Sequence, residues 1–90
     1  MTNEDKEKLY KSVILNFGET TQLIVAMEEC GELIQAISKK LRGIENNIEE
    51  EIADVEIMLE QLKIIADNKA IEEMKESKLR RLEQRLNLFK

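Results

Sequence analysis

The chain has 90 residues, 42% of them hydrophobic and only 3% aromatic, with a net charge of −5 from 19 acids and 14 bases. That length makes one domain, residues 1–90, whose small core favours self-association as a homodimer or homotetramer. The acidic balance excludes a basic footprint for duplex nucleic acid; the absence of His excludes a His-based triad, a zinc finger or a His-bearing iron site; the single cysteine, Cys30, excludes an internal disulfide.

One cysteine and a polar opening, MTNEDKEKLY, lead to the expectation of a cytoplasmic chain without membrane contact. With no Pro and three Gly, few turns are forced, and helices are expected throughout.

The first helix is predicted from about Asn3 to Phe17, capped by Thr2 or Asn3, with Glu4 and Asp5 in the first turn where acids favour the helix dipole. Tyr10, Val13, Ile14 and Phe17 form its apolar stripe, and Gly18 is its stop. The second is predicted from about Glu19 to Leu41. Leu23, Met27, Cys30, Ile34, Ile37 and Leu41 alternate by four and three along it, a sustained seam on which Cys30 reads as a small buried hydrophobe. Lys39, Lys40 and Arg42 stand at its end and Gly43 closes it.

The third helix is predicted to start at the capping residue Asn47 and end near Asp67 or Asn68, with Ile48, Ile52, Val55, Leu59, Leu62 and Ala66 as its seam. The fourth is predicted over about Ala70 to Leu88, with a looser stripe of Ile71, Leu79, Leu82, Leu86 and Phe89. Four helices with short loops predict an all-α fold, a four-helix bundle.

Two acidic pairs interrupt this pattern. Glu29 with Glu32, and Glu51 with Asp54, are each spaced i, i+3, which places both carboxylates of a pair on one helix face. On a wheel of 100° per residue, Glu49, Glu56, Glu60 and Lys63 make the solvated side of the third helix, whereas Glu51 and Asp54 share their side with Met58, Gln61 and Ile65. On the second helix the wet arc is Glu28, Gly31, Gln35, Ser38 and Arg42, while Glu29 and Glu32 lie off it, in line with Val25 and Ala36. Carboxylates gathered beside apolar surface raise one another's pKa unless a cation relieves them. The oxygen-only donor set suits a hard ion, Mg²⁺ or alternatively Mn²⁺.

Glu29-Cys30-Gly31-Glu32 followed, after 18 residues, by Glu51-Ile52-Ala53-Asp54 resembles the E-x-x-E…E-x-x-D motif of the MazG-like all-α nucleoside triphosphate pyrophosphohydrolases, especially their short phage- and prophage-type members. The surrounding QLIVAMEECGELIQAISKKLRG and NIEEEIADVEIMLEQL are similar too, so the resemblance covers about Gly18 to Leu62, and KLRRLEQRL more loosely. It implies a helical bundle paired with a second subunit, the site close to the interface, and Mg²⁺ held by Glu29, Glu32, Glu51 and Asp54. The implied reaction is hydrolysis of a (deoxy)nucleoside triphosphate to the monophosphate and pyrophosphate, with Glu28 or Glu50 orienting the attacking water. Lys39, two turns past Glu32, and Lys78 and Arg81, in line with Arg85, are candidates for the phosphates, with surface pairing to Glu76 or Glu83 as the alternative for the last helix. Gln22, two turns before Glu29, is a candidate for the base or ribose. The family's aromatic base platform is not evident, since only Tyr10, Phe17 and Phe89 are aromatic. A phosphoribosyl-ATP pyrophosphohydrolase-like enzyme is disfavoured by the lack of a His after the second pair. A non-catalytic helical dimerisation or regulatory module is the alternative from another class.

Overall fold

The computed structural model describes residues 1–89 and is helical: α1 Asn3–Phe17, α2 Glu19–Leu41, α3 Ile48–Ile65 and α4 Asn68–Leu88. Local chemistry accounts for the ends. Thr2 and Asp5 form a reciprocal capping box, with the Asp5 amide donating to Thr2 Oγ1 and the Thr2 amide to Asp5 Oδ2, both at 3.0 Å. Gly18, at φ +92°, turns α1 directly into α2, a backbone conformation that only glycine adopts cheaply. Gly43, at φ +70°, does the same after α2.

The third and fourth helices divide differently from expectation. α3 stops at Ile65, and Asp67 belongs to α4, whose Ala70 amide donates to Asp67 Oδ1 at 3.1 Å. A side-chain acceptor at Asp67 offers the first free amides of a new helix a partner, which ends the old one.

α2 and α3 form an antiparallel pair, and it is the principal contact in the molecule. Gln22 meets Gln61 and, two turns further along α2, Glu29 meets Asp54. The side of α2 that faces α3 is Gln22, Ala26, Glu29, Leu33 and Ala36, with Ala26 and Ala36 at 4% and 2% exposure. The side of α3 that meets it is Glu51, Val55, Met58 and Gln61. Alanines at the contact let the two backbones approach, so the narrow flank of α2 wins over its bulky seam. The seam expected to be core is instead turned outward: Met27 is 69% exposed, Ile34 67% and Leu41 84%, and Leu23, Cys30 and Ile37 are exposed as well. On α3, Val55 is the one expected seam residue that is buried; Ile52, Leu59 and Ala66 are exposed, Ile48 and Leu62 half-buried.

α1 lies across this pair, burying Tyr10, whose hydroxyl donates to a Glu60 carboxylate oxygen. Glu60 therefore leaves the solvated face assigned to it. Val13 and Ile14 are half-buried, and Phe17 is exposed. Among the described residues α4 packs against α3 alone and buries none of its side chains. The all-α reading holds, but one chain does not close a four-helix bundle. The Cα radius of gyration is 16.2 Å, where a compact chain of this length has about 12 Å.

Candidate metal centre

Antiparallel pairing of α2 and α3 brings Glu29 against Glu51 and Asp54. A carboxylate oxygen from each lies within 4.8 Å of the other two. Glu51 is 7% exposed, while Glu29 and Asp54 are half-buried. Asn47 Nδ2 donates to Glu51 Oε1 at 2.8 Å, which orients the carboxylate from one turn away. The second oxygens are unpartnered: Glu51 Oε2 and Glu29 Oε2 are both buried without a hydrogen bond. Two buried, acceptor-only atoms in one carboxylate cluster are costly unless a cation or a proton partners them.

The electrostatics agree. Burial pushes the Glu29 carboxyl above the ordinary carboxylate range, and the charges of Glu32, Asp54 and Glu51 push it further. Burial likewise raises Glu51; the Asn47 hydrogen bond partly opposes this, and Glu32 and Asp54 add to it. Among the described residues no lysine or arginine contributes to either shift. The ion pairs among the described residues, Lys11–Glu7, Lys63–Glu72, Lys75–Glu72 and Arg80–Glu76, leave the cluster untouched. The donor set fits a hard divalent cation: three carboxylates at ligand-like spacing, two orphaned oxygens, and no nitrogen or sulfur donor. A cleft of about 110 Å³, lined by Glu29, Asp54, Ile57 and Met58, opens from it.

The other candidates fall in several places. Glu32 is exposed at the rim, and its charge helps raise both Glu29 and Glu51. Glu28 and Glu50 face solvent on adjacent helix positions, outside the converging set. Gln22 is 6% exposed and donates through Nε2 to Gln61 Oε1 at 2.7 Å, so its amide joins α2 to α3. Lys39 is exposed in the last turn of α2. Lys78 and Arg81 share a surface groove with Leu82 and Arg85 on α4, which among the described residues does not touch α2; it is Arg80 that pairs with Glu76, at 3.2 Å.

The sequence marks Asn47 as a helix cap. It occupies that position, but its side chain makes no cap bond and serves Glu51 instead. The signal was present in the i, i+4 spacing of an amide before a carboxylate. The chain matches no family model, no curated protein and no solved structure.

Proposed function

We propose that the α2–α3 cluster binds Mg²⁺, or Mn²⁺ in its place, and that the protein hydrolyses a (deoxy)nucleoside triphosphate to the monophosphate and pyrophosphate. The observation that supports this reading is the pair of orphaned buried oxygens of Glu29 and Glu51 within a three-carboxylate set. Glu29, Glu51 and Asp54 would hold the ion, and Glu32 would complete the set from the rim. A bound ion of this kind neutralises phosphate charge and acidifies a water. Asn47 keeps Glu51 in its ligand orientation, and Met58 and Ile57 line the apolar side of the cleft. The cleft has room for an ion and a few waters, so a nucleotide would lie across the open Glu32 side. Lys39, a turn or two beyond Glu32, is the base on α2 best placed to meet its phosphates. The reading gives Glu28 and Glu50 no direct part, and it includes assembly as a homodimer or homotetramer.

A panel of NTPs and dNTPs with Mg²⁺, assayed for pyrophosphate, tests the reading. Turnover that falls at least about 100-fold in Asp54→Asn and Glu32→Gln, with helicity kept, is the expected result, since metal-borne charge stabilisation is worth several kcal/mol in the transition state. No turnover on any nucleotide, together with no Mg²⁺-dependent change in melting temperature, overturns it. Metal binding without turnover would support the non-catalytic module instead, a reading that the exposed α2 seam also favours.

A further inference from the structure

The charges of α4 are sorted by face. On a helical wheel the acids Glu72, Glu73, Glu76 and Glu83 fall within about 100° of one another. Lys75, Lys78, Arg81 and Arg85 stand on the opposite side, among Ile71, Met74, Leu79, Leu82, Leu86 and Phe89, and that side carries no acid. Where α4 starts, this face rests on α3: Ile71 and Lys75 line a cleft of about 610 Å³ with Leu59 and Leu62. Leu82 and Phe89 lie within about 20° of the Ile71 line, so the face continues along α4 to Phe89, about 27 Å from Ile71. Its outer part has no cover among the described residues: Leu79, Leu82 and Leu86 are more than half exposed, and Phe89 is 88% exposed. Lys78, Arg81 and Arg85 border a groove with Leu82 and, among the described residues, pair with no carboxylate.

We infer that this face of α4 docks an amphipathic helix of another protein, one whose apolar stripe is flanked by Asp and Glu. Leu79, Leu82, Leu86 and Phe89 alternate by three and four, the spacing with which one helix packs along another. The cations beside them set the sign of the occupant. Acids flanking the incoming stripe pair with Lys78, Arg81 and Arg85, whereas a basic helix sets like charges against each other beside apolar surface. The charge distribution also disfavours a bilayer. Residues 1–67 hold fifteen acids and seven bases, while residues 68–90 hold seven bases and four acids. An anionic membrane is an extended plane that meets the acid-rich remainder along with α4; a single acidic helix meets α4 alone. Among the described residues α4 packs against α3 alone, toward its Leu59–Ala66 end, more than a turn beyond Asp54. The docking face therefore stands apart from the acidic cluster, and the inference does not rest on the catalytic reading.

Fluorescence anisotropy of dye-labelled synthetic helices, titrated with the full chain, tests the docking. Two peptides of about 20 residues carry the same leucine stripe at three–four spacing, flanked in one by Glu and in the other by Lys; a third scrambles the Glu peptide. The Glu peptide should bind at micromolar concentration, and the other two at least about 10-fold more weakly. Leu82→Glu should weaken the Glu peptide at least about 10-fold with helicity unchanged, while Leu15→Glu on α1, at an 84% exposed position, should not. Arg81→Glu combined with Arg85→Glu should invert the preference toward the Lys peptide, a readout that misfolding does not produce. Equal binding of the Glu and Lys peptides, or no binding of the Glu peptide at millimolar concentration, overturns the inference. Binding to vesicles of phosphatidylcholine and phosphatidylglycerol in place of the peptide overturns it in favour of a membrane. Self-association of the free chain that Leu82→Glu abolishes gives the face to a second copy and overturns it too.

Discussion

The Gln22–Gln61 bond allows a quantitative test of how α2 and α3 are held. Both residues are nearly buried, at 6% and 5% exposure, and one bond of 2.7 Å joins their amides across the helix pair. Replacing Gln22 with Leu removes one partner and leaves the Gln61 amide buried without it, a penalty of about 1–3 kcal/mol. Replacing both with Leu removes the bond and the orphan together and should come within about 1 kcal/mol of wild type. At about 2.1 cal/mol/K per residue, unfolding this chain of 90 residues releases roughly 190 cal/mol/K. One kcal/mol then moves the melting temperature by about 5 °C, so each single variant should melt about 5–15 °C lower and the double variant within about 5 °C of wild type. Thermal unfolding of the four proteins by circular dichroism completes the double-mutant cycle. Additive losses, with the double variant the least stable, would refute the argument that the orphaned amide carries the cost. Mg²⁺ affinity should be unchanged in all four, because neither glutamine touches the acidic cluster. A raised KM for a nucleotide in Gln22→Leu, with stability intact, would instead make Gln22 a substrate contact.

Further outcomes follow from the cluster and its surroundings. Asn47→Ala should weaken Mg²⁺ binding about 10–100-fold, measured by calorimetry, as loss of a group orienting a ligand does. Without metal, Asp54→Asn should raise the melting temperature, because Asp54 pushes up both Glu29 and Glu51; with Mg²⁺ the order should reverse. Glu29 and Glu51 have folded pKa values above their unfolded ones, so the native state binds the extra protons. Stability of the metal-free protein should therefore fall as pH rises from the ordinary carboxylate range through the raised values, and saturating Mg²⁺ should remove that slope. Tyr10, held neutral by its bond to Glu60, titrates at about 12 instead of 10. Its stabilisation is complete below pH 10 and lost between 10 and 12, visible as a delayed tyrosinate absorbance that Glu60→Gln brings forward. Met58→Ala, at a position 6% exposed, should cost about 2–4 kcal/mol in a denaturant titration by opening a cavity beside the site.

Much of this protein was legible in one dimension. Helix ends follow from local chemistry, the Thr2–Asp5 box and the glycines at 18 and 43, so α1 and α2 fell where the residues placed them. The acidic pairs were legible because i, i+3 spacing is a property of one helix, and three of the four acids do converge. What the sequence could not determine was which face of α2 meets α3. Two faces were suitable: a bulky apolar seam, and a narrower line of alanines interrupted by Gln22 and Glu29. Hydrophobic patterning favours the first, but close backbone approach, the Gln22–Gln61 bond and the Asn47–Glu51 bond belong to the second, and these are relations between helices. The same choice buried Glu51, orphaned its oxygen and turned the seam outward, so one decision of packing set both the site and the free face.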